Sequence, residues 1–171
     1  MTDAPKRTRS YSWADPADLR QAAMTSTGLE FISRSLSAGG SPAPIGATID
    51  MRTAGVKEGE VTFAITPQEF HYNPLGTMHG GIFATILDSA CGCALHTTLA
   101  KGQGFTSLTL EIKFLRAATA ETGELRCTGK VVSRGRTVAT TEAVLQDARG
   151  RLYATATSTC MIFAAPTEKA A

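Results

Sequence analysis

The stretch GGIFATILDSACGCALHTTLA, residues 80–100, sets the architecture of this chain. Ile82, Phe83, Ile86, Leu87, Ala90, Ala94, Leu95 and Leu99 recur at helical spacing, which predicts one long helix, apolar nearly all round and almost wholly buried. A single carboxylate, Asp88, sits in a run that carries no Lys, Arg, Glu or second Asp. Burying a lone ionised carboxylate costs several kcal/mol unless something pairs with it or uses it. Asp88 is therefore a candidate catalytic group.

Strand patterns flank this helix. Residues 45–54 and 60–66 predict a hairpin turning through 55–59, with Val61, Phe63 and Ile65 alternating inward. After the helix come strand patterns at 105–117, 124–133, 137–146 and 152–163, separated by turn signals at Thr122-Gly123, Arg134-Gly135-Arg136 and 147–150. The simplest enclosure for the helix is an α+β arrangement in which a strongly curved antiparallel sheet of about six strands wraps around it. Upstream, Asp15 as N-cap with Pro16 in the first turn predicts a short helix to about residue 25, and Leu29, Ile32 and Leu36 share one face of a second at 29–37. The expected organisation is a mobile arm (1–14), short helices and a linker (15–44), the main domain (45–163) and a tail (164–171).

The composition is that of one soluble globular domain, with 43% hydrophobic and 19% charged residues in a chain of 171. Net charge is +2, and Lys6, Arg7 and Arg9 carry more than that excess, so no nucleic-acid surface is expected. Three glycines, three threonines, Asp88 and His96 in the 80–100 run argue against a membrane span. No basic start leads into an apolar core and a small-residue cleavage site, so a cytoplasmic location is expected. Cys91 and Cys93 stand two apart on the helix and point to different faces, which suits neither zinc nor a redox pair. Cys127 and Cys160 fall in strand patterns, and all four thiols read as structural filling. Without a phosphate-binding glycine loop or clustered metal-ligand spacing, neither a metal nor a bound cofactor is expected.

The segment Asn73-Pro74-Leu75-Gly76-Thr77-Met78-His79-Gly80-Gly81, followed by Asp88, resembles the hotdog-fold acyl-CoA thioesterases of the phenylacetate-degradation (PaaI-like) type. The 106–116 strand, the Ser133-Arg134-Gly135-Arg136 turn and the Leu152-Tyr153-Ala154 start of the final strand extend the resemblance over roughly 45–163. It implies a hotdog fold in which Asn73 and the backbone N–H of Gly80 polarise the thioester carbonyl, His79 orients the loop, and Asp88 attacks the carbonyl or activates water. Ser107, with Thr106 beside it, lies where the family carries a hydroxyl that helps hold that water. Gly81 lets the substrate approach the backbone closely, and Arg116, Arg134, Gly135 and Arg136 are candidates for contact with the phosphates of coenzyme A, which would be part of the substrate.

The chemistry supports this independently. Thioester hydrolysis needs donors aimed at the oxygen that gains negative charge, and the N-terminus of a helix offers free N–H groups and a positive dipole end. Gly80 and Asp88, however, stand eight residues apart, about 12 Å along a helix. Two antiparallel helices across a two-fold axis would bring the helix start of one subunit to the Asp88 of the other, so a homodimer is the expected minimal unit, with a dimer of dimers beyond it. The rival readings are a non-catalytic acyl-CoA sensor and a hydratase or dehydratase; no His is obviously placed as the partner that dehydration needs. His71 and His96 read as bystanders.

Overall fold

The computed structural model describes residues 6–41 and 43–164. The calls on 1–5 and on 165–171 lie outside the described residues. Helices α1 (Pro16–Thr25) and α2 (Gly28–Ala38) precede a short α3 (Pro44–Thr48), strands β1 (Arg52–Lys57) and β2 (Glu60–Ile65), and the long helix α4 (Gly80–His96). Strands β3 (Gln103–Phe114), β4 (Leu125–Arg134), β5 (Val138–Asp147) and β6 (Leu152–Ala164) follow. The six strands form one antiparallel sheet in the order β1-β2-β4-β5-β6-β3. No described helix is long and apolar enough to cross a membrane.

Local chemistry accounts for the helix starts. The Asp15 carboxylate accepts from the Ala17 N–H at 2.8 Å with Pro16 in the first turn, and Thr27 and Glu30 form a capping box at the start of α2. Residues 6–14 have no regular secondary structure; the Arg9 guanidinium donates to the carbonyls of Thr48 and Ala47 at 2.6 and 2.9 Å and lies over the Phe70 ring.

Two expectations are corrected. The strand read at 45–54 is α3 followed by a tight turn, and β1 begins only at Arg52. Pro44 opens a helical turn, the Met51 N–H donates to the Gly46 carbonyl, and Asp50 takes a positive φ of 56°, so the Ile45-Ala47-Ile49-Met51 alternation never becomes a strand. The long helix is also less enclosed than its composition predicts. The sheet covers the face carrying Phe83, Ile86, Leu87, Ala90, Cys91, Ala94 and Leu95, while Ala84, Thr85, Asp88 and Ser89 are half-buried and Gly81 is exposed. The open stripe is made of small residues and the carboxylate. Helix and sheet come close together at Gly129 of β4, where a Cβ would lie 2.1 Å from the Ala90 carbonyl oxygen.

Candidate active site

Residues 71–80 form a closed loop that delivers the chain into α4. The His79 N–H donates to the His71 carbonyl at 2.8 Å, Tyr72 and Met78 form an antiparallel bridge, and the Asn73 N–H donates to the Thr77 carbonyl at 2.8 Å. Gly76 turns the tip at a φ of 77°, a conformation that suits a residue without a Cβ. The outer flank is held by the Met78 N–H on the Ala118 carbonyl and by the Ala120 N–H on the Tyr72 hydroxyl.

Asn73 serves this turn directly. Its Oδ1 accepts from the N–H groups of Leu75 and Thr77 at 2.9 and 3.3 Å, and its Nδ2 donates to the Thr77 hydroxyl at 3.0 Å. Among the described residues the second Nδ2 hydrogen has no acceptor. His79 is the N-cap of α4. Its Nδ1 accepts from the Gly81 N–H at 2.8 Å, which places the neutral ring's proton on Nε2. The Gly80 N–H, one of the unsatisfied donors of a helix start, has no acceptor among the described residues.

Asp88 lies on the open stripe of α4, half-buried, and its Oδ1 accepts from the Ser107 hydroxyl at 3.0 Å. A β-bulge aims that serine. Ser107 pairs with Cys160 and Thr109 with Thr159, leaving Leu108 as an extra residue. Before it, Phe105 packs on Gly92 and His96; after it, Leu110 and Ile112 face the core and Phe114 meets Phe83 edge-to-face. The helix-facing set thus switches from odd to even positions. Thr106, exposed and paired with Met161, belongs to the opposite set, so of the two hydroxyls it is Ser107 that reaches Asp88.

A groove of about 340 Å³ opens at the helix start, lined by Met78, Gly80, Phe83, Phe114 and Arg116 among others. The Arg116 guanidinium lies 5.9 Å over the Tyr153 ring. Arg134, Gly135 and Arg136 form the exposed β4–β5 turn, closed by the Gly135 N–H on the Val138 carbonyl. The pairings Arg134 with Ala139, Ala139 with Cys160 and Cys160 with Ser107 put that turn level with Ser107, whereas Gly80 and Arg116 lie by the other end of β3. One chain therefore does not gather the three arginines. A larger cleft, of about 450 Å³, lies between Trp13, Pro44, Arg52 and Ile65 and contains none of these site residues.

Comparison with known proteins gives the family. A family model described as "Thioesterase superfamily" matches residues 75–154. Human acyl-coenzyme A thioesterase 13 is 32% identical over 98 residues, 56% of this chain and 68% of the human protein. The chain belongs to the thioesterase superfamily. The matched span holds His79, Gly80, Asp88 and Ser107, while Asn73 falls just before it. Among solved structures, this thioesterase shares 31% identity with a phenylacetic acid degradation-related protein of Ralstonia eutropha JMP134, covering 77% of this chain and 98% of that one with a TM-score of 0.67. The PaaI protein of the E. coli phenylacetic acid degradation operon, 16% identical, covers 82% of this chain and 96% of its own with a TM-score of 0.70 and shares the hotdog fold.

The other two histidines and the thiols of Cys91 and Cys127 sit in packed surroundings. The His71 ring is buried and the His96 ring lies between Phe31 and Phe105; burial holds both imidazoles below their usual range. Burial pushes the Cys91 thiol up to about 11 and Cys127 well above the ordinary value. Among the described residues no three His, Cys, Asp or Glu side chains cluster as a metal site would require. The anchoring of the loop by His71 and Tyr72 was not read from the sequence, although both stand immediately before Asn73.

Proposed function

We propose that this chain hydrolyses acyl-CoA thioesters to the free acid and coenzyme A, in sites that two copies build together. The observation that carries the reading is the pairing of a Ser107-held Asp88 on an uncovered helix stripe with an unclaimed Gly80 N–H at the start of the same helix. In this reading the Gly80 N–H and the free Nδ2 hydrogen of Asn73 hold the developing oxyanion, and His79 fixes the helix start through Gly81. Asp88, kept in place by Ser107, attacks the carbonyl or activates the water.

The eight-residue separation, about 12 Å of helix rise, calls for the second copy. Strand β3 is an edge of the sheet, and Leu108, Phe114 and Leu115 on or beside it are 55%, 57% and 53% exposed. A long apolar edge of this kind is a template for pairing with another chain. Antiparallel pairing of two β3 strands would set the helix start of one copy against the Asp88 of the other and bring the Arg134–Arg136 turn of the second copy toward Arg116. Such arginines suit the phosphates of coenzyme A, and the Phe83–Phe114 wall suits an apolar or aromatic acyl group.

A panel of short, long and aryl acyl-CoA thioesters with a thiol-reporting dye tests the activity, and sedimentation of the same sample tests the dimer. Thiol release from none of the panel by a folded dimer refutes the hydrolytic assignment; full activity in a monomer refutes the shared site.

A further inference from the structure

The His71 side chain is only 2% exposed, yet it stands two residues before Asn73, and both of its ring nitrogens are committed. Nδ1 accepts from the Gln68 N–H at 3.0 Å, which leaves the proton on Nε2, and Nε2–H donates to the Ile49 carbonyl at 2.9 Å. The ring thus ties the short 3₁₀ turn Glu69–His71 to the turn that leads into β1. The backbone of the same residue receives the His79 N–H, the first rung of the closed loop. His71 thus joins two tasks: its side chain is fastened to the scaffold while its main chain holds the far rim of that loop.

We infer that His71 is a positioning residue for thioester hydrolysis: as a neutral imidazole bridging Gln68 and Ile49, it sets the height at which Asn73 and the Gly80 N–H face the substrate carbonyl. The inference rests on the acyl-CoA thioesterase reading above. The surroundings of the ring favour the neutral form on balance. Burial is the strongest influence and disfavours the charged ring; the Ile49 carbonyl it donates to works the other way, Arg9, over Phe70, opposes a further positive charge, and Asp50 favours one. Glu69 on the adjoining turn is paired with Arg7. Phe70 packs edge-on to the imidazole with ring centroids 4.2 Å apart, which closes one side of the ring.

The test separates geometry from bulk. His71→Leu fills similar space but makes neither hydrogen bond; His71→Gln keeps a donor at the Nε2 position and has no charged form. With displaced oxyanion donors, His71→Leu should lower kcat by about ten- to a hundredfold while KM moves by less than about threefold, because misplacement of about 1 Å is felt chiefly in the transition state. His71→Gln should recover kcat to within about threefold of wild type. Amide hydrogen exchange reads the loop directly: the N–H groups of Asn73, Met78 and His79 should exchange at least about tenfold faster in His71→Leu, with the amides of β5 unchanged.

An unaltered kcat in folded His71→Leu overturns the inference. So does an equal loss in both variants accompanied by faster exchange throughout β5, which would mark a general loss of folding. A wild-type protein that releases no thiol refutes the hydrolytic reading instead, and the exchange comparison still decides whether His71 holds the loop.

Discussion

Replacing Gly129 with alanine tests whether the spacing between helix and sheet places Asp88. A Cβ at this position would lie 2.1 Å from the Ala90 oxygen, 2.3 Å from the Ala90 carbonyl carbon and 2.9 Å from the Cys91 nitrogen. All three are backbone atoms of α4 and cannot rotate away. Ordinary contact begins at 3.4 Å, so the helix must lift by about 1 Å. Overpacking of this kind costs about 1–3 kcal/mol, a fall in Tm of about 3–10 °C for a chain this long. Asp88 lies two residues before Ala90 on the lifted helix, and a shift of about 1 Å at a reacting group can cost up to about a hundredfold in rate. Calorimetric melts and thiol release at saturating acyl-CoA, normalised to folded protein, measure both effects. Gly55→Ala, whose Cβ would meet Thr62 at an ordinary 3.6 Å, is the control and should melt as wild type does. A Gly129→Ala protein with wild-type Tm and kcat would refute the claim that this close approach fixes the carboxylate.

Asp88→Asn should keep the fold and lower kcat by about a hundredfold or more, whereas Ser107→Ala, which removes one charge-assisted donor from a solvent-open pair, should cost only about tenfold; equal activity in wild type and Asp88→Asn would remove the carboxylate from the mechanism. Asn73→Asp retains the Oδ1 that closes the turn but loses the Nδ2 donor, so an unchanged Tm with kcat down about tenfold or more is expected, and a change in KM alone would assign Asn73 to binding. Mixing Asp88→Asn with Asn73→Ala should restore about a quarter of wild-type activity, since half of randomly exchanged dimers are mixed and each then holds one intact site; confirmed subunit exchange without recovery would refute the shared site. Cys91, buried and held protonated up to about 11, should resist alkylation at pH 8 in the native state. Because its folded value is raised, its contribution to stability is complete below the ordinary thiol range and is lost as pH rises toward 11, so denaturant midpoints that rise across that window would contradict the assignment.

Where sequence signals were local, they were legible. Asp15-Pro16 marked the start of α1, and His79-Gly80-Gly81 marked the start of α4 because capping chemistry needs only neighbouring residues. The 45–54 stretch misled because its apolar alternation is real but serves two packed residues, Ile49 and Met51, on either side of a turn that Asp50 makes possible, while Ile45 remains 43% exposed. The openness around Asp88 was missed for a different reason. A helix apolar nearly all round is consistent with burial by its own sheet or with a covered face plus a small-residue stripe, and periodicity does not separate the two. The choice between Thr106 and Ser107 depends on a bulge, an offset between β3 and β6, strands about fifty residues apart in the chain. Composition near Leu108 carries no mark of it.

That extra residue makes the register of one edge strand part of the chemistry. Phe105 and Ser107 must face the helix, and so must Leu110, Ile112 and Phe114, yet a regular strand can satisfy only one parity. The information is held in a pairing of two residues against one, and every side chain concerned could stay the same while it is erased. With Leu108 kept but the bulge ironed out into regular pairing, the strand would have to choose between seating its downstream apolar residues and presenting a hydroxyl to Asp88. Burial of Leu110 and Ile112 would win that contest, turning the serine to the outer face. In sequence comparison, then, a one-residue gap at Leu108 would leave a regular strand in which both sets still face the helix, so the hallmark residues on either side have to be read together with the number of residues between them.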